Sequence, residues 1–267
     1  MKNILVLMHD DAGQEARLQA ALDVTRAVEG HLTCLDVEIL PVLMGDFYSG
    51  AGEAMLMEDE RVREQANRVA VEARLAKEMV SWDWITTAGT IAPCLTERAA
   101  LADLVILNRR LEDFPYPDMQ AAAGETVLKA GRPVLAVPAH TRGVNVCGTA
   151  LVCWDGSSAS VAALRAAIPL LRLAETVVLL AVEDGSIALP VEDAADYLSR
   201  HDIAPMVRKE RPANAKPLAL IQEAIRHHGA DYVVMGGFSH SRLAEAILGG
   251  VTRGMLTSSP VPVLFAH

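Results

Sequence analysis

Aromatic residues make up only 4% of the 267-residue sequence, which leaves few surfaces on which single-stranded nucleic acid can stack. Basic residues are also scarce. The sequence has 24 Lys and Arg against 34 Asp and Glu, a formal net charge of −10, the wrong sign for broad attraction to nucleic acid or an anionic membrane. No apolar run reaches the roughly 18 residues of a membrane span, and the opening MKNILVLMHDD lacks the small-residue cleavage site of a signal peptide. A cytoplasmic protein with no membrane or nucleic-acid partner is expected. The four cysteines (Cys34, Cys94, Cys147 and Cys153) form no CxxC pair, so reduced structural thiols are expected rather than disulfides or a zinc site. There is no G-x4-G-K-[ST] loop, and no G-x-G-x-x-G follows the first apolar run. What the chain does have is core-forming material. It is 51% hydrophobic and 22% charged, sufficient for one large or two small domains.

Short apolar runs alternate with longer stretches of helical periodicity. Runs at 4–8, 31–39, 82–87, 103–107 and 133–137 read as strands, and 14–29, 53–80, 95–102 and 119–130 as helices. The pattern then restarts. Strands are expected at 150–154, 177–182, 204–208, 231–235 and 261–266, and helices at 157–172, 192–201, 217–228 and 243–258. The two halves share words. Ala102-Asp103-Leu104-Val105-Ile106 echoes Ala230-Asp231-Tyr232-Val233-Val234, and Pro133-Val134-Leu135 echoes Pro262-Val263-Leu264. The offsets are 128 and 129 residues. The sequence is a tandem duplication of a βα-alternating unit, each copy predicting a five-stranded parallel sheet between helix layers. The aperiodic stretch 138–148 separates domains expected at 1–140 and 148–267.

In open doubly wound sheets ligands sit beyond the carboxyl ends of the strands, at the switch point. In the second half the first strand ends in Trp154-Asp155-Gly156-Ser157-Ser158. Asp155 would stand at the strand tip, and the serines would cap the next helix; a turn-and-cap role and a ligand role both fit. The fourth strand runs into Met235-Gly236-Gly237-Phe238-Ser239-His240-Ser241-Arg242, and Gly249-Gly250 interrupts the helical pattern that follows. Glycines after a strand and before a helix let backbone amides approach a phosphate. They serve equally as a plain strand-to-helix turn.

These residues resemble the universal stress protein family, in its tandem two-domain form. The family's G-x2-G-x9-G-[ST] motif falls on Gly236, Ser239, Gly249 and Gly250, with serine at the second glycine and glycine at the closing hydroxyl residue. The V-D-G-S signature is similar to Trp154-Asp155-Gly156-Ser157, and S-P-x-P-V-L matches Ser259 through Leu264. The resemblance implies two tandem doubly wound five-stranded domains, three-layer α/β/α units of the HUP type. It further implies a stress-associated protein with an adenine nucleotide (ATP, ADP or AMP) in the second domain, in a regulatory rather than a catalytic role. Asp155 and the backbone near Val182 would then meet the adenosine end, and Met235 and Gly236 would line the ribose and phosphate path. Ser239, Gly249, Gly250 and Val251 would surround the phosphates. Family domains pair through their fifth strands, so 133–137 and 261–266 are expected to pair within the chain, with association of two chains also open. The rival reading is a nucleotide-independent scaffold in which the glycines only permit close packing; another small metabolite in the same crevice is a third.

The first half lacks these marks. Its fourth strand ends Leu107-Asn108-Arg109-Arg110, its first strand ends His9-Asp10-Asp11, and Gln120 stands where the counterpart of Gly249 would be. No nucleotide site is expected there. His9, Asp10 and Asp11 read as a solvated strand end rather than metal ligands, and Arg109 and Arg110 as solvent-facing charges. Ser239 is a poor nucleophile-elbow serine, because G-x-S-x-G is incomplete, no Asp follows, and the later Glu and distant His are Glu245 in the adjoining helix and the terminal His267. The adjacent His227 and His228 are a poor zinc pair, and Met55-Leu56-Met57 reads as core or lid. No metal site and no catalytic set are expected.

Overall fold

In a computed structural model the described residues are 1–39, 50–111, 117–183, 187, 189–211, 216–238 and 250–267, without the side chains of 50–57 and 60. The N-terminal half contains β1 (Asn3–Met8), α1 (Gln14–Ala27), β2 (His31–Ile39), α2 (Gly50–Leu75), β3 (Ser81–Gly89), α3 (Ile91–Arg98), β4 (Leu104–Arg110), α4 (Met119–Lys129) and β5 (Val134–Pro138). The C-terminal half repeats the order with β6 (Thr149–Trp154), α5 (Ser158–Leu171), β7 (Thr176–Val182), α6 (Val191–Ser199), β8 (Met206–Glu210), α7 (Pro217–His228), β9 (Tyr232–Gly236), α8 (Val251–Ser258) and β10 (Val263–Ala266). Residues 139–148 connect β5 to β6.

All ten strands form one sheet in the order β3-β2-β1-β4-β5-β10-β9-β6-β7-β8. Each half is therefore doubly wound, with its switch point between first and fourth strands, β1/β4 and β6/β9. Every pairing is parallel except β5 with β10, where Val134, Leu135 and Ala136 face Phe265, Leu264 and Val263. The fifth strands thus pair within the chain, as the resemblance implied.

Side-chain alternation divides the interior into two cores. Ile4, Val6 and Met8 join α1 and α5 residues on one face, while Leu5 and Leu7 join α3, α4, α7 and α8 residues on the other. Both cores run through the seam. Leu264 and Leu135 belong to the first, Phe265 and Val134 to the second.

The repeated words mark the joints of the fold. Asp103 Oδ2 accepts from the amides of Lys2 and Asn3 at 2.6 and 2.9 Å, and Asp231 Oδ2 accepts from the Thr149 amide at 2.7 Å. The carbonyl of Pro133 accepts from the Val105 amide, and that of Pro262 from the Val233 amide, at 3.0 and 2.9 Å. In each half, then, an aspartate fastens the fourth strand to the first, and a proline carbonyl fastens the fifth to the fourth.

Boundaries shift where capping chemistry was misread. The third helix starts at Ile91, not 95, because Pro93 lies in the first turn, where no intrahelical donor is lost. Of the helix expected at 243–258, only Val251–Ser258 falls within the described residues. α7 begins on Pro217 and ends on Gly229 at φ 59°, with Arg226, His227 and His228 in its last turn. Those two histidines stand at the negative end of a helix dipole.

Phe265 is fully buried beside the seam. Phe265→Ala is expected to cost about 3–5 kcal/mol of unfolding free energy, the usual cost of an emptied aromatic core site. Urea denaturation checks this, and a loss under about 1 kcal/mol means that the seam is not part of a shared core.

Candidate functional site

The C-terminal switch point lies where β6, β7 and β9 end. Trp154 pairs with Ala181, and the Val152–Val234 pairing brings Gly236 level with Trp154. Asp155 and Val182 stand one residue beyond. At a strand spacing of about 4.8 Å, Val182 and Gly236 lie on either side of β6, roughly 10 Å apart. Met235 is buried, and Val182 and Gly236 are half-buried. Gly250 is the exposed N-cap of α8 and Val251 its first residue; no side chain caps this helix start. The described site residues therefore share the carboxyl crest of one half-sheet. Ser239 and Gly249 lie outside the described residues, as do His240, Ser241 and Arg242.

Local chemistry explains the strand-one turn. Asp155 Oδ1 accepts from the Ser157 amide at 2.9 Å, Ser157 Oγ accepts from the Ser160 amide at 3.2 Å, and Ser160 Oγ donates to the Ser157 carbonyl at 3.0 Å. This Asx turn and N-cap consume much of the motif's hydrogen-bonding capacity. Gly156 adopts φ +70°, and a Cβ there would lie 2.1 Å from the Leu189 amide nitrogen. The Leu189 carbonyl accepts from Trp154 Nε1 at 3.0 Å. The backbone at Leu189 therefore lies across the tip of β6, a contact that sequence reasoning missed. The only signal for it was a tryptophan at a strand end, whose indole N–H needs a partner when buried.

The β9 exit is tight. A Cβ on Gly236 would come 2.6 Å from the Ser160 amide nitrogen, so glycine is required there by the first turn of α5. Two residues on, Phe238 has φ 54°, a left-handed conformation that costs a residue with a Cβ on the order of 1 kcal/mol. Its amide donates to Thr252 Oγ1 at 3.1 Å. Backbone strain of this kind collects where structure serves binding.

The N-terminal counterpart is filled. Arg17, the fourth residue of α1, is fully buried. Its Nε donates to the Leu7 carbonyl at 2.7 Å, its Nη1 to Asp11 Oδ1 at 2.6 Å and Asn108 Oδ1 at 2.7 Å, and its Nη2 to the His9 carbonyl. The guanidinium ties the tips of β1 and β4 together across the switch point. The fourth residue of α5 is Val161, which offers no such group.

Two expectations about the N-terminal half are corrected. Arg109 does not face solvent: it is 3% exposed and donates from Nη1 to the carbonyls of Leu256 (3.2 Å) and Thr257 at the end of α8. A buried cation there complements the helix dipole. Gln120 Nε2 adds a bond to Thr257 Oγ1 at 2.9 Å. In the reverse direction, the Phe238 ring lies against Gly124 of α4. At the β1 tip Asp10 is exposed, as expected of a solvated strand end, but His9 and Asp11 are not. His9 is buried, with Nδ1 2.8 Å from Glu64 Oε1 of α2, and Asp11 pairs with Arg17. Arg110 is exposed, as expected.

Among the described residues no group of three or more His, Cys, Asp or Glu is placed to hold a metal ion. Burial pushes the Cys34 thiol up to about 12, helped by the charges of Asp83 and Glu72, so it stays protonated at neutral pH.

Residues 148–267 match the family model of the universal stress protein family. The C-terminal half is a universal stress protein domain. A solved universal stress protein from Archaeoglobus fulgidus DSM 4304 is similar over 98% of this chain and 95% of its own, with a TM-score of 0.74 and 17% identity. A protein described as a universal stress protein, from Pseudomonas aeruginosa UCBPP-PA14, aligns over 99% of this chain and 92% of its own, with a TM-score of 0.63 and 17% identity. At that identity these likenesses establish the fold, and they extend it across both halves. No curated protein sequence matches the chain significantly.

Arg109→Met removes the guanidinium but keeps an apolar stem, leaving the last carbonyls of α8 without their donor. A loss of about 2 kcal/mol or more is expected in urea denaturation. Arg110→Met, at an exposed position, is expected to stay within about 0.5 kcal/mol of the parent.

Proposed function

We propose that the chain is a cytoplasmic stress-response-associated protein whose universal stress protein domain binds an adenine nucleotide, ATP, ADP or AMP, as a regulatory ligand. The observation that carries this reading is the start of α8. Gly250 offers no capping side chain, and Thr252 in the first turn is tied to the β9 exit through the Phe238 amide. An anion is the natural partner of such a helix end. The strained Phe238 exit beside it supports the reading, and so does the contrast with the Arg17-filled N-terminal half. The backbone at Gly250 and Val251 would take phosphate oxygens, with Ser239 and Gly249 completing that end. Met235 and Gly236 would flank the ribose and phosphate path, and Asp155 and Val182 the adenosine. The acidic balance of the chain argues against nucleic-acid partners, and among the described residues no helix is long and apolar enough to cross a membrane.

A second reading, a nucleotide-independent scaffold, draws on other observations in the same crest. Asp155 is engaged by its own turn, Gly236 is required by packing, and Leu189 lies over the β6 tip. Isothermal titration with ATP, ADP and AMP separates the two. Saturable heat supports the nucleotide, and silence at millimolar ligand supports the scaffold.

Val251→Pro sharpens the test. Proline suits the first helical position, and Gly250 at φ −60° and ψ 161° already has the extended conformation a following proline requires. The substitution removes one phosphate-facing N–H and leaves the helix intact. The affinity is expected to fall about tenfold or more, the worth of one hydrogen bond to a charged acceptor, with the unfolding midpoint unchanged. Equal affinity in the parent and Val251→Pro overturns the placement of phosphate at α8.

A further inference from the structure

The N-terminal half contains a buried polar cluster that a nucleotide site in the other half does not use. Helix α2 runs from Gly50 to Leu75, and its buried seam is Glu64, Val71 and Leu75. Among the described side chains from 58 to 70, Glu64 alone is buried, at 1% exposure. A carboxylate thus holds the position where an amphipathic helix would ordinarily place an apolar anchor.

Glu64 is met on several sides. Its Oε1 lies 2.8 Å from His9 Nδ1, accepts from the Asp10 amide at 3.1 Å and is 3.8 Å from Arg63 Nη2. Its Oε2 accepts from Asn67 Nδ2 at 3.3 Å, and Asn67 is itself bonded to Gln14. Burial alone would raise this carboxyl, but the bonds from His9, Asp10 and Asn67 outweigh it and hold the group below the usual carboxylate range. Glu64 is therefore an anion that fastens α2 to the tip of β1.

A second buried carboxyl stands on the sheet face that α2 covers, two residues along β2 from Cys34, which shares a core with Val71 and Leu75. Asp36 is 3% exposed and stands level with Met8 of β1 and Thr86 of β3. Its Oδ2 accepts long bonds from Trp84 Nε1 (3.4 Å) and Thr86 Oγ1 (3.3 Å), while its Oδ1 is buried without a partner. The charges that act on Asp36 are those of Glu64 from α2 and Glu38 on its own strand; Glu64 is met in turn by His9, just beyond β1, and by Arg63. Arg68 lies over the Trp84 ring at 5.7 Å. An ionised Asp36 is thus poorly solvated and sits near a second buried anion.

We propose that His9, Glu64 and Asp36 form a proton-operated latch that fastens α2 over the crest of the N-terminal half while Asp36 is neutral, and loosens it when Asp36 ionises against Glu64. Burial, then the Glu64 charge, pushes the Asp36 carboxyl up from 3.8 to about 6. A carboxyl raised in the folded state stabilises that state fully below its unfolded value. The contribution is lost as pH rises through about 6. The latch is therefore closed in acid and looser at neutral and alkaline pH.

Hydrogen exchange read by mass spectrometry on the intact chain from pH 5 to pH 8.5, corrected for the intrinsic rate at each pH, tests the latch. In the parent, opening of residues 58–70 is expected to increase as pH rises from 5 through 6, by roughly tenfold, since each pKa unit is worth tenfold and about one unit separates pH 5 from the raised Asp36 value. Asp36→Asn, isosteric and uncharged, is expected to flatten that dependence. Glu64→Gln is expected to raise exchange of α2 at every pH while reducing the slope, because both the anchor and the like charge are weakened. Peptides from α7 serve as the control and are expected to show no matching rise. The latch is overturned by a parent profile without pH dependence, by an Asp36→Asn profile with the parent's slope, or by an equal rise in α7, which signals global opening.

Discussion

The pairing of β5 with β10 is the constraint on which the other relations between the halves depend. Three residue pairs turn two five-stranded sheets into one of ten strands, and the antiparallel sense of that junction relates the halves by an approximate twofold rotation. The rotation brings each half's fourth-strand exit against the other half's fourth crossover helix. Arg109 reaches the end of α8, and Phe238 reaches α4. The N-terminal half therefore holds the last turn of the helix whose first residue, Val251, is one of the candidate site residues.

The two switch points show how one architecture is put to different uses. A buried arginine that satisfies two strand-tip carbonyls and two side-chain oxygens closes the first crest. In the second, a valine stands at the matching turn of the helix, and the crest is shaped by backbone: Leu189 on one side, the α8 start on the other.

Much of the fold was legible because the duplication repeats the residues that make its joints. Asp103 and Asp231, Pro133 and Pro262 were visible as shared words, and each pair fastens the same strands in its half, Asp103 with one amide more than Asp231. Arg17, Arg109 and Glu64 were not legible. Charged side chains read as surface in a linear sequence, and their burial depends on partners from elsewhere in the fold, 91 residues away for Arg17 with Asn108 and 147 for Arg109 with Leu256. The candidate site was legible as a location and less so in its details. Strand order put Asp155, Val182 and Gly236 on one crest. The demand of α5 for a glycine at 236, and the crossing of Leu189 over Gly156, are packing facts with no periodic signature.

Because both fifth strands pair inside the chain, the edge strands of the sheet among the described residues are β3 and β8. They differ in character. β8 is short, and Arg208, Lys209 and Glu210 crowd its end, a sequence that discourages lateral growth by strand addition; β3 runs for nine residues. With β5 and β10 paired to each other, neither has an open side to offer a strand from a second copy.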